Sequence, residues 1–95
     1  MKYYLVAHIE TKNMENMKIY REKVLKIVNK YKGNYLVRGG EMEALEGKKL
    51  HDRIVIIEFP NKELAMKFYK SKEYKPLLEL RAKSGISNVV IVEGL

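Results

Sequence analysis

Cysteine and tryptophan are absent from this 95-residue chain, and proline occurs twice. Without cysteine there is no disulfide, no thiol nucleophile and no thiolate metal ligand, a composition that fits a reducing, cytosolic setting. Two histidines, His8 and His51, supply the only imidazoles. They form no H-x-x-x-H pair and no helix-borne Glu-x-x-His, so no metal and no cofactor is expected. A nucleophile elbow of the G-x-S-x-G type is missing, as are phosphate-loop and dinucleotide fingerprints. No apolar run approaches the ~20 residues of a membrane span, and the N-terminus enters Tyr3-Tyr4-Leu5-Val6 without a signal-peptide pattern.

Charge is plentiful. Nineteen Lys and Arg against twelve Asp and Glu give +7 and a pI near 9.6. Such a balance permits nucleic-acid or acidic-ligand binding. The lysines are spread over helix surfaces, however: Lys18, Lys23, Lys26 and Lys30, then Lys62, Lys67, Lys70 and Lys72. Dispersed lysine reads as a solvated surface, and nucleic acid is not the expected partner. Hydrophobic residues at 46% and charged residues at 33% describe a folded domain, here one unit over residues 1–95.

Lys2 to Glu10 is aromatic and β-branched and reads as a strand. Asn13 is placed to cap a helix whose apolar stripe is Met17, Tyr20, Val24, Ile27, Val28 and Tyr31, with Gly33 at its stop. Asn34 to Arg38 resumes strand character, interrupted at Gly39-Gly40 and continued through Glu41 to Glu46. A Gly47-Lys48-Lys49 turn leads into the strongest strand, Leu50 to Phe59. Pro60 ends it, and Asn61 caps a second helix with Leu64, Ala65, Phe68 and Tyr69 inward. Ser71 looks like a fresh cap, and Pro76 predicts a kink or reorientation before Gly85. Asn88 to Glu93 closes the chain as a strand. The order βαββαβ predicts an α+β, ferredoxin-like fold: an antiparallel four-stranded sheet, strands one and three central, two helices on one face. An RNA-recognition module shares that order, but Asp52 to Phe59 lacks its glycine and stacking aromatics.

Strand three (Ile54-Val55-Ile56-Ile57) and strand four (Val89-Val90-Ile91-Val92) are apolar on both faces. Two helices cover one face, so the other is expected to meet another subunit, a ligand cavity or both, and a sheet-to-sheet homodimer is the economical answer. Residues facing across the predicted hairpin sum to 96, which sets Arg38 opposite Glu58, within the one-residue shift a Gly39-Gly40 bulge would bring. Two readings stand: a cross-strand ion pair, or Arg38 clamping a small anionic ligand with Glu58 orienting it. His8 shares a strand face with Tyr4 and Val6 and is a candidate acid or base, or a hydrogen-bonded interface histidine. Strand direction sets it near Ile54, not near Glu58. His51 falls beside the turn.

Tyr4 to His8, Tyr35-Leu36-Val37-Arg38-Gly39-Gly40, Leu45-Glu46-Gly47, Arg53 to Pro60, Ser71-Lys72-Glu73-Tyr74, Arg81 and Ile91-Val92-Glu93-Gly94 occur together. This set, running the length of the chain, resembles domain-of-unknown-function family 1330 of the dimeric α/β-barrel, ferredoxin-like superfamily. The resemblance implies a homodimer whose two sheets enclose a barrel-like interior, and no established reaction. It carries His8, Arg38, Gly39, Gly40, Glu58, Phe59, Ser71, Tyr74 and Arg81 as matching positions. His8, Arg38 and Glu58 become candidate catalytic residues; Ser71, Tyr74 and Arg81 become candidate ligand-binding residues, Tyr74 as a donor at the rim. Asn13-Met14-Glu15 departs from a frequent Asp-Pro-Glu helix start, and Tyr4 and Phe68 stand where relatives often carry tryptophan. The expected function is small-molecule binding, or cofactor-independent catalysis on an anionic or polar substrate; the alternative is a non-catalytic dimeric binding module associated with stress.

Overall fold

A computed structural model of the chain describes residues 1–48 and 52–95. His51, Leu50 and the end of the predicted Gly47-Lys48-Lys49 turn lie outside the described residues. The elements are β1 (Tyr3–Thr11), α1 (Met14–Lys30), β2 (Asn34–Arg38), β3 (Arg53–Phe59), α2 (Lys62–Lys70), α3 (Lys75–Ser84) and β4 (Gly85–Glu93). The strands form one antiparallel sheet in the order β2-β3-β1-β4.

Alternation sorts the sheet into two faces. Leu5, Ala7 and Ile9 of β1 pair with Ile57, Val55 and Arg53 of β3, and their apolar members are buried with Phe59. The helices close over this face. Met17, Tyr20, Val24 and Val28 of α1, Ala65 and Phe68 of α2, and Leu77 of α3 complete the core.

The caps follow the residue chemistry. The Asn13 side chain accepts from the Asn16 amide at 3.0 Å, and that of Asn61 accepts from the Leu64 amide at 2.8 Å. At the end of α1 the left-handed residue is Lys32 (φ 63°), not the expected Gly33. The Lys32 and Gly33 amides donate to Asn29 and Val28 carbonyls, which closes the helix. Gly33 has a different reason to be glycine: an added Cβ would sit 2.7 Å from Val28 and 2.9 Å from Phe59. Lys32→Gly is therefore expected to stabilise the fold by about 1 kcal/mol, because only the lysine carries the left-handed penalty. Gly33→Ala is expected to destabilise it. Urea denaturation of the two variants checks the pair, and the opposite ranking would refute it.

Three features depart from the sequence reading. First, the expected second helix is two helices. The Ser71 hydroxyl donates to the Phe68 carbonyl at 2.9 Å and accepts from the Tyr74 amide at 3.2 Å, so it turns the chain between α2 and α3. Pro76 then occupies the first turn of α3, where its missing N–H costs nothing. Among the described residues three helices, rather than two, cover the sheet.

Second, residues 41–46 are not strand. β2 stops at Arg38 and β3 begins at Arg53, so the described residues 39–48 do not extend the hairpin ladder. Third, the register differs. Asn34, not Arg38, lies opposite Glu58, and Arg38 lies opposite Val55. The bulge falls at Leu36, between the pairs Tyr35–Ile57 and Val37–Ile56.

The second sheet face carries no helix. Val37, Ile56, Val6 and Val90 form an apolar row running through β2, β3, β1 and β4 in turn. Val90 is 60% exposed and Val92 49%. Beside that row, His8 lies between Ile54 and Asn88.

Candidate functional site

A regular strand sends residues three apart to opposite faces. The extra residue at Leu36 cancels that inversion and brings Tyr35 and Arg38 to the helix-covered face together. The Arg38 guanidinium lies over the Tyr35 ring, 4.5 Å from its centroid, and donates to the Arg21 carbonyl of α1. Arg38 thus spans the gap between the sheet edge and the helix.

Arg53 enters from the start of β3 on the same face. Gly39, at φ 70°, donates its amide to the Ile54 carbonyl at 2.9 Å; a Cβ there would run into the Arg53 guanidinium. The glycine after Arg38 therefore serves both the left-handed backbone and the room for a second arginine. Arg21 completes the group from α1. Among the described residues, none of these three guanidinium groups forms an ion pair. Glu22 and Asp52 border the opening without reaching ion-pair distance. Burial, with Arg21 and Arg38 nearby, lowers the Arg53 pKa, the sign expected of uncompensated positive charge.

Inside the arginines, a cavity lies between α1 and the sheet, lined by apolar side chains that include Met17, Val24, Val55 and Phe68. It leaves about 30 Å³ for the centres of water-sized molecules, room for one or two waters. Outside, a groove of about 670 Å³ runs past Lys18, Arg21, Arg38 and Arg53. Tyr35 stands at the inner end of the arginine group, and burial pushes its phenol up to about 12.

Part of the cavity lining is polar. The Tyr20 and Tyr74 hydroxyls lie 2.7 Å apart, and the Arg81 guanidinium sits 5.8 Å from the Tyr20 ring centroid. Burial first, and each other's proximity second, hold the Tyr20 phenol well above its ordinary pKa; burial also raises that of Tyr74. Arg81 is 5% exposed. Burial works against its charge, but Tyr74, Tyr20 and Tyr69 around it outweigh that and keep its pKa raised.

The six sequence-derived candidates separate into two groups. Arg38, Tyr74 and Arg81 meet at this cavity, with Ser71 supporting the turn that delivers Tyr74. Tyr74 is at the buried end, not at the rim. His8 and Glu58 are on the opposite sheet face, so neither touches Arg38. Glu58 instead pairs with Lys2 at 3.2 Å, and its expected role as the orienter of Arg38 is withdrawn: the bulge at Leu36 turned Arg38 away from it. Arg21, Arg53, Tyr20 and Tyr35 were not singled out from sequence. Helical spacing groups Tyr20 with the core stripe, and only the packing of α1 against the α2–α3 turn brings its hydroxyl to Tyr74.

Comparison with known proteins bears mostly on the fold. A family model described as Domain of unknown function (DUF1330) matches residues 2–95. No curated protein matches the sequence. A protein of unknown function from Rhodopseudomonas palustris has a similar structure (TM-score 0.78, 13% identity, 99% of this chain and 82% of that one). So has a dimeric ferredoxin-like protein of unknown function from Jannaschia sp. CCS1 (TM-score 0.71, 15% identity, 99% and 100%). A putative antibiotic biosynthesis monooxygenase from Nitrosomonas europaea is more distant (TM-score 0.58, 11% identity, 99% and 90%).

Proposed function

Given that the chain belongs to the family described as Domain of unknown function (DUF1330), we propose that it binds a small organic anion in the cavity between α1 and the sheet. The observation that carries this reading is the set of three guanidinium groups, Arg21, Arg38 and Arg53, gathered without an ion-pair partner among the described residues at the mouth of an apolar cavity. A carboxylate or similar acid fits the planar forks of these arginines. The apolar lining suits a hydrocarbon or aromatic body; because the closed cavity has room for only one or two waters, such a body enters only as Arg38 swings off the Arg21 carbonyl and α1 parts from the sheet.

Among the described residues, the cavity lining holds no carboxylate and no imidazole. His8 and Glu58 are on the other face, which favours binding, or chemistry that needs only hydrogen-bond donors, over catalysis by an internal base. The bare sheet face, with its apolar row through Val37, Ile56, Val6 and Val90, is read as the contact between two copies of the chain. Dimeric ferredoxin-like neighbours support that assembly. A second reading, a non-catalytic dimeric module with no ligand, draws on the same apolar row.

Titration with 3-phenylpropionate, followed by amide chemical shifts, separates the two. Binding is expected to perturb Gly39 and Arg53, and the Arg38→Met/Arg53→Met double variant is expected to bind at least about tenfold more weakly, since a hydrogen bond to a charged group is worth ~1.5–3 kcal/mol. A folded protein that ignores the probe, or a double variant that binds equally well, would leave the ligand-free dimer as the better description.

A further inference from the structure

Arg81 is almost fully buried, carries a fixed positive charge, and has an Nε–H with no hydrogen-bond partner among the described residues. Buried donors are nearly always satisfied, and a charged one left unsatisfied is the more unusual. Arg81 lines the cavity, as do both members of the Tyr20–Tyr74 pair. Two phenols bring two protons to that pair. One lies in the 2.7 Å bond between the hydroxyls; the other remains for a further acceptor. A guanidinium donor and a phenol donor thus meet among buried side chains of the cavity lining, where the low dielectric makes such donors act most strongly on negative charge.

We infer that the Arg81, Tyr20 and Tyr74 end is a second recognition point, which takes a ligand oxygen bearing full or partial negative charge, a phenolate or an enolate. This rests on the anion-binding reading above and narrows it. The ligand is bifunctional: an acid group held by Arg21, Arg38 and Arg53, an apolar body, and an oxygen at the far end. Because the described lining supplies donors and no carboxylate or imidazole base, the site stabilises the ionised oxygen without generating it. The proton leaves the ligand for solvent.

The probe is 3-(4-hydroxy-3-nitrophenyl)propionate, whose nitrophenol changes colour when it ionises. Its bound phenol is expected to titrate about one unit lower than the free one, equivalent to phenolate binding about tenfold tighter than phenol. Arg81→Met is expected to reduce that shift, as is the Tyr20→Phe/Tyr74→Phe double variant, which keeps both rings and serves if the arginine variant fails to fold. In both, the loss of affinity for the ionised probe is expected to exceed by about tenfold any loss of affinity for 3-phenylpropionate, which has no phenol oxygen. An unshifted bound phenol, or a shift that survives in the variants, overturns the second recognition point while leaving the arginine mouth intact. A shift that persists when Arg38 and Arg53 are replaced by methionine upholds the second point and removes the mouth. Failure of the probe to bind overturns both.

Discussion

Phe68→Ala is expected to remove about 3–5 kcal/mol of folding stability, the range for deleting a buried phenylalanine ring. Phe68 is 1% exposed and stands at the centre of an aromatic cluster. Its ring centroid lies 4.5 Å from that of Tyr74, 5.5 Å from Phe59 and 6.4 Å from Tyr31, so one side chain joins α2 to β3, α1 and the α2–α3 turn. Truncation forfeits all three contacts and leaves a void beside the cavity that α1 cannot collapse into without disturbing Tyr20 and Tyr74. In a domain of this size the loss is a large part of the ~5–15 kcal/mol that typically holds a protein folded. Guanidinium denaturation reads it as a lower midpoint at unchanged slope. A change under about 1 kcal/mol would show that the aromatic cluster does not hold the helices on the sheet.

Val90→Glu is expected to turn the proposed dimer into monomers with the fold unchanged. Val90 closes the apolar row on the bare face and is 60% exposed in the single chain, so a carboxylate there meets water in the monomer and costs the fold little. In a two-fold assembly the same change buries two carboxylates against apolar side chains. Each such burial costs several kcal/mol, enough to raise the dissociation constant by about a hundredfold or more. Sedimentation and far-UV circular dichroism read assembly and fold separately. A Val90→Glu protein that stays dimeric, or an unsubstituted protein that is already monomeric, would place the contact elsewhere. The helix-side cavity is closed off from this face by the sheet, so 3-phenylpropionate binding is expected to survive in the variant.

Much of the framework was legible along the chain because it rests on local rules. The stripe from Met17 to Val28 repeats at helical spacing, Asn13 and Asn61 have the side chains that cap helices, and Val89 to Val92 has no polar alternation. Even the placement of His8 against Ile54 followed from strand direction alone. The failures share one origin. Counting outward from a presumed tight turn fixed Arg38 opposite Glu58; the pairing is displaced by three residues, to Val55, and a single extra residue at Leu36 sets which face Arg38 occupies. Side chains alternate with a period of two, so an uncertainty of one residue in register exchanges the two faces completely.

Sequence by itself determined that this is a cysteine-free, basic α+β chain of four strands and helices, with one sheet face that the helices leave uncovered. Those properties follow from composition and from periodicities that each segment carries within itself. Tertiary structure alone decided that Arg21, Arg38 and Arg53 converge, that Glu58 and His8 are separated from them by the sheet, and that Arg81 is buried beside two tyrosine hydroxyls with an unpaired N–H. Residues 21, 38, 53, 74 and 81 come from α1, β2, β3, the α2–α3 turn and α3. Their meeting depends on register, on the bulge and on how the helices settle on the sheet, and these are set by packing among distant segments, not by any one of them.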